Sequence, residues 1–175
     1  DSVRHEAGLT FVSPTAALVS DNTLFGYTGP IFGRRYRFQI EPSVGSLRWV
    51  NYLAAYRRYD AIIFSYLTFA TRLYANMSVG RDEQQFLRYI GRPDFVRGYD
   101  RARFASQQCQ FIGGNPEACN ATQLIGSRIA VANAELRFPL IRRFELGVLP
   151  IALPPVDGLF FYDVGMAWTN EHDVH

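Results

Sequence analysis

The chain has 175 residues, enough for one domain with a core of its own. Hydrophobic residues make up 48% and charged residues only 19%, and no run of about 18 apolar residues occurs, which excludes a transmembrane helix. A net charge of +2, with basic residues scattered along the sequence, gives no case for nucleic acid as a partner.

Aromatic residues are plentiful, with 14 Phe and 10 Tyr. Many aromatics without a hydrophobic run fit a membrane β-barrel, whose lipid-facing and lumen-facing residues alternate along each strand. A soluble β-sandwich would share that composition. The sequence opens Asp1-Ser2-Val3-Arg4-His5 and carries no signal peptide, so it is expected to be an interior piece of a longer polypeptide.

The first strand-like segment, about residues 9–20, is weak because Pro14 interrupts it. A turn region follows from Ser20-Asp21-Asn22-Thr23 to Gly29-Pro30. Residues 32–44 then alternate: from Tyr36 onward Tyr36, Phe38, Ile40 and Val44 share one face, and Arg37, Gln39, Glu41 and Ser43 the other. Residues 47–59 are strand-like with mixed faces, and Tyr59-Asp60 is expected to form a short turn. In residues 67–79 the odd positions are apolar, against Thr68, Arg72, Asn76 and Ser78.

Residues 81–126, by contrast, show no sustained period, and a loop that long inside a domain is usually functional. Alternation resumes in residues 130–138, where Asn133, Glu135 and Arg137 lie opposite an apolar face. In residues 159–168, Asp163 falls opposite Phe160, Tyr162, Val164, Met166 and Trp168. Residues 144–155, with Pro150, Pro154 and Pro155, have no clear place. Tyr36, Tyr74, Phe138 and Trp168 sit near strand ends, where a membrane barrel places its aromatic girdles.

Strands of about ten residues exceed those of ordinary soluble sheets and suit a tilted bilayer crossing. About six strands fit the sequence, fewer than the smallest usual membrane barrel of about eight, so further strands or other chains must complete it. The long loop leaves from the same side as the turn near Ser43–Ser46, which makes that side extracellular if long loops lie outside the cell. Cys109 and Cys119 flank Gly113-Gly114-Asn115-Pro116; they read as a disulfide closing a turn or as a free pair, and not as a metal site. His5, His172 and His175 lie near the termini and read as incidental, and no Gly-x-Ser-x-Gly elbow is present.

The long segment contains Phe95-Val96-Arg97-Gly98-Tyr99-Asp100. Arg97 on a loop, with Glu135 and Asp163 on strand faces of inward parity, could form charge-assisted, bidentate contacts, and Gly98 lets the backbone approach closely. On spacing alone the simpler reading is a solvated arginine above carboxylates that line a wet pore.

The run from Phe95 to Tyr99 resembles the signature loop of the outer-membrane protein insertase superfamily, the BamA-like and bacterial surface antigen barrels with the two-partner-secretion transporters. Asn133-Ala134-Glu135-Leu136-Arg137-Phe138-Pro139 is similar to the strand that follows that loop, and residues 159–168 to the strand after it. The resemblance covers about residues 9–170. It implies an all-β, antiparallel transmembrane barrel of about sixteen strands, of which residues 1–175 are a partial C-terminal piece. Its loop, here about residues 81–126, folds into the lumen. Val96, Arg97, Gly98 and Tyr99 would form the loop tip, with Arg97 held by Glu135 and Asp163.

The function implied is insertion or translocation of proteins at a bacterial outer membrane, or the outer membrane of a bacterium-derived organelle, without enzymatic chemistry or cofactor. The partners implied are outer-membrane lipids, unfolded outer-membrane or secreted clients, periplasmic POTRA domains and accessory lipoproteins. Three departures from the family pattern are expected: no POTRA domain is present, the sequence stops at His175 before the family's last three strands and so lacks the closing seam, and the segment holding Cys109 and Cys119 enlarges the loop beyond the motif. A passive pore or surface receptor, a barrel anchoring an upstream enzyme and a soluble sandwich are the other readings.

Overall fold

A computed structural model describes residues 10–26, 28–63, 66–97, 124–141, 144–145, 152–153 and 155–169. Among these the fold is all-β, built on one antiparallel sheet. Its strands are β1 (Phe11–Val12), β2 (Ala16–Asp21), β3 (Leu24–Phe25), β4 (Pro30–Gly45), β5 (Trp49–Ile63) and β6 (Leu67–Val79), then β9 (Arg128–Ile141) and β12 (Val156–Trp168). Between β6 and β9 lie a 3-10 turn, Glu83–Gln85, and the short ribbon of β7 (Arg88–Tyr89) and β8 (Ile125–Gly126). β10 (Phe144–Glu145) pairs with β11 (Ala152–Leu153).

The sheet order is β1-β4-β5-β6-β9-β12, with β2 and β3 also lying along β4. Pro14 therefore splits the first segment into β1 and β2, and both pieces still pair with the same neighbour. This follows from proline's missing donor, which confines it to sheet edges and breaks in pairing. The turn between β2 and β4 is held by side chains: Asp21 Oδ1 accepts from the Thr23 amide and hydroxyl, and Asn22 Oδ1 accepts from the Arg34 amide. Gly33 takes φ 105° where a Cβ would lie 2.4 Å from the Asn22 carbonyl oxygen, so a side chain there is excluded.

One expected turn is overturned. Tyr59 and Asp60 lie inside β5, where Tyr59 pairs with Ala70 and Asp60 with Phe69. Thirteen consecutive residues of β6 offer backbone partners there, and that ladder outweighs the local turn preference of a Tyr-Asp pair. The register also sorts the mixed faces of β5. Asn51, Leu53, Ala55, Arg57 and Tyr59 share a face with Arg72 of β6, while Tyr52, Ala54, Tyr56 and Arg58 share the other with Leu73 and Met77.

The long segment leaves β6 at the end of the sheet that also carries the 46–48 turn, and its described parts pack on one face. Ile90 and Leu124 from the loop meet Ile129 of β9 and Ala167 of β12, with Tyr74, Tyr89 and Phe95 against them. Tyr74 thus belongs to this packed face rather than to an outer aromatic girdle. Its even position in β6 points it the same way as Arg72, and its ring lies 5.1 Å from that of Phe95. At the loop's root Trp49 stacks on Phe86 at 4.1 Å, with Phe11 edge-on at 5.2 Å. The sheet curls toward this face, because the Thr28 hydroxyl, before β4, donates to Asp157 of β12 at the far edge of the strand order.

The opposite face carries large apolar side chains left exposed, among them Leu18, Phe38, Ile40, Leu73, Phe160 and Tyr162. Phe160 and Tyr162 keep 69% and 72% of their surface, far more than a covered sheet face would leave. The sheet is open.

Candidate functional site: the loop anchor

Each anchoring side chain is set by strand parity. β9 and β12 pair so that Asn133 faces Asp163 and Glu135 faces Phe161, which puts Asn133, Glu135, Phe161 and Asp163 on the loop-bearing face. Arg97 reaches this face from the loop. Its Nε lies 2.9 Å and its Nη2 3.0 Å from the two carboxylate oxygens of Asp163, a two-pronged contact, and its backbone amide donates to the same carboxylate at 3.0 Å. The second carboxylate, Glu135, lies 2.6 Å from Arg97 Nη2. The guanidinium also rests over the Phe161 ring, 4.1 Å from its centroid.

The group is shielded from water. The Asp163 side chain is 3% exposed, Glu135 17% and Arg97 28%. Charge-assisted bonds of this kind are about twice as strong as neutral ones, and a fork geometry suits arginine alone among the cations. The hydrogen bond to Asp163 pushes the Arg97 guanidinium above its ordinary range, so the cation is permanent. Glu135 is shared, since Arg137 approaches it at 2.5 Å from the other side.

Neighbouring residues hold the loop backbone. Asn133 Nδ2 donates to the Phe95 carbonyl at 2.8 Å, and Arg72 Nη1 to the Asp94 carbonyl at 2.5 Å. Val96 is buried, and a Cβ placed on Gly165 would lie 2.8 Å from its Cγ2. Asp163 and Gly165, two residues apart on β12, therefore receive consecutive loop residues: the first binds Arg97 and the second makes room for Val96.

A second anchor sits at the loop's root. Arg88 Nη1 donates to Ser78 Oγ and to the Ser127 carbonyl, each at 2.9 Å, and Nη2 to Asn51 Oδ1 at 2.7 Å. Burial lowers its basicity, and its hydrogen-bond partners here are all neutral. Sequence reasoning missed Arg88, Asn133 and Arg72 in these roles. A cation whose partners are carbonyls and hydroxyls leaves no charge pattern to find.

Of the residues singled out from sequence, the structure brings Val96, Arg97, Glu135 and Asp163 together. Gly98, Tyr99, Cys109 and Cys119 lie outside the described residues.

An open antiparallel sheet of long strands, apolar on its outer face and bearing a tethered loop on its inner one, has the character of a β-barrel wall. The family model for the Omp85 superfamily domain matches residues 18–175, most of the chain. The chain belongs to the Omp85 superfamily, whose members are outer-membrane proteins with a general role in protein insertion or translocation. No curated protein and no solved structure matches it.

Proposed function

We propose that this chain is part of an outer-membrane barrel that inserts or translocates protein clients, and that its Val-Arg-Gly-Tyr loop is pinned in the lumen by Asp163 and Glu135. The observation that carries this reading is the Arg97 fork on Asp163, closed by Glu135 and Phe161. A loop arginine kept only for solubility would stay in water; this one is desolvated against two carboxylates. The exposed apolar outer face supports placement in a bilayer, with Phe38, Ile40, Leu73, Phe160 and Tyr162 toward lipid.

The work of such a barrel is non-covalent. A free strand edge templates client strands by backbone pairing, and the pinned loop keeps the wall in the shape that permits it. Loop release is one switching element of such a barrel. POTRA domains and accessory lipoproteins would deliver clients, and about sixteen strands would close the barrel.

The test is Arg97→Ala in the full-length protein, read by client assembly in membranes and by heat-modifiability on gels. The expected result is reduced assembly with a barrel that unfolds at lower temperature. Unchanged assembly together with unchanged heat-modifiability would remove the loop from the mechanism.

A further inference from the structure

The row of register partners that contains Asp163 continues across the sheet. Asp21 pairs with Arg35, Arg35 with Arg57, Arg57 with Arg72, Arg72 with Asn133, and Asn133 with Asp163. Directly opposed residues of an antiparallel pair point to the same face, so all six belong to the loop-bearing side. Three arginines on three neighbouring strands therefore stand side by side, with strands about 4.8 Å apart.

Like charges directly opposed across strands cost stability, and the fold does little to offset it here. Arg35 lies 3.6 Å from Asp21, but both side chains are largely exposed, and pairs of that kind contribute little. Arg72 binds the Asp94 carbonyl and lies over the Tyr74 and Phe95 rings, all neutral groups. Arg57 is exposed and, among the described residues, has no carboxylate at ion-pair distance. Two residues further along β4, on the same face, Arg37 donates, among the described residues, to the neutral Gln39. Beside the row lies a cleft of about 280 Å³ under the loop, lined by Arg57, Arg72, Arg97 and Arg137 against Asp94 and Glu135.

We propose that the Arg35–Arg57–Arg72 row, with the cleft beside it, is an oxyanion-binding site on the inner wall. Its ligand chemistry is a phosphate-like or carboxylate group, bridged between neighbouring guanidinia by forked hydrogen bonds. Among the described residues the loop leaves it open: Arg97 spends its own donors on Asp163 and Glu135, and no carboxylate lies at ion-pair distance from Arg57. Two sources carry that chemistry: a free oxyanion in the lumen, or the acidic side chains of a polypeptide passing the wall. The proposal rests on the loop-bearing face being the lumen and adds a ligand to it.

The experiment is calorimetric titration of the full-length protein in detergent at low ionic strength, with inorganic phosphate and with a Glu-rich peptide as probes. Arg57→Gln should weaken binding about tenfold, whereas Arg58→Gln should leave it unchanged. Arg58 is the adjacent residue on the opposite face and is engaged by Asp60 at 2.9 Å. Arg57→Lys keeps the charge but not the fork and should fall between the two. Binding of phosphate with the peptide inert identifies a free oxyanion; peptide binding that phosphate displaces identifies an acidic polypeptide.

If neither probe binds, the site is overturned, as it is if Arg57→Gln and Arg58→Gln alter binding equally. The cost of like charges means Arg57→Gln should fold at least as well as the parent, which unchanged heat-modifiability checks. If the lumen reading itself fails, Arg97→Ala reports it through client assembly, independently of the titration.

Discussion

Gly165 and Val96 are matched across the wall and the loop: a Cβ on Gly165 would lie 2.8 Å from Val96 Cγ2, closer than carbon atoms in contact approach. Gly165 follows Asp163 on the same face of β12, so the wall meets the loop with a carboxylate and then a gap. That order makes the fit specific to a bulky residue followed by an arginine.

Gly165→Ala should therefore lift the loop from the wall. Overpacking of this kind costs about 1–3 kcal/mol, read as a lower urea midpoint. Val96→Ala in the same chain should recover part of the loss, because it removes the clashing methyl groups. Without any recovery, the effect would come from the β12 backbone instead.

Asp163→Asn and Glu135→Gln should differ. Asp163 is the more buried and accepts three donors from Arg97, its backbone amide included, whereas Glu135 is more exposed and divides itself between Arg97 and Arg137. The Asp163 change should cost about 3 kcal/mol and the Glu135 change about half that, measured by denaturant unfolding. Equal losses would mean that the two carboxylates hold the loop alike.

Arg97→Lys should behave closer to Arg97→Ala than to the parent. An ammonium can meet one carboxylate but cannot fork onto Asp163, reach Glu135 and lie flat on Phe161 together. Heat-modifiability across the three proteins ranks them.

Arg88→Met should free the loop's root while sparing its tip. The change keeps the stem but strands Ser78 Oγ, the Ser127 carbonyl and Asn51, at a cost of about 1–3 kcal/mol. Hydrogen exchange should rise in residues 82–90 and 124–127 and stay unchanged at Val96. A rise at both places would show that the two anchors act as one unit.

How much of this was legible in the sequence follows from what each residue needs as a partner. Period-two counting placed β4, β6, β9 and β12 and put Glu135 and Asp163 on one face, since a one-residue error would reverse every side chain. It could not place Tyr59 and Asp60, whose local chemistry favours a turn while β6 supplies a continuous ladder. Tyr74 read as a girdle residue by its position near a strand end, although its parity already set it inward with Arg72. Ile129 and Val131 lie on the face that otherwise reads as polar, and they became core only because the loop covers them. Arg88 and Asn133 work through carbonyl and hydroxyl partners many residues away, a relation that no spacing rule encodes.

The most direct test of the pinned loop is a double-mutant cycle on Arg97 and Asp163, with denaturant stability and client assembly measured for Arg97→Ala, Asp163→Ala and the pair. The double variant should be no worse than either single, with a coupling of about 2–3 kcal/mol, because each single change already removes the shared contact. Losses that simply add would contradict it, and Arg97 and Asp163 would then act independently.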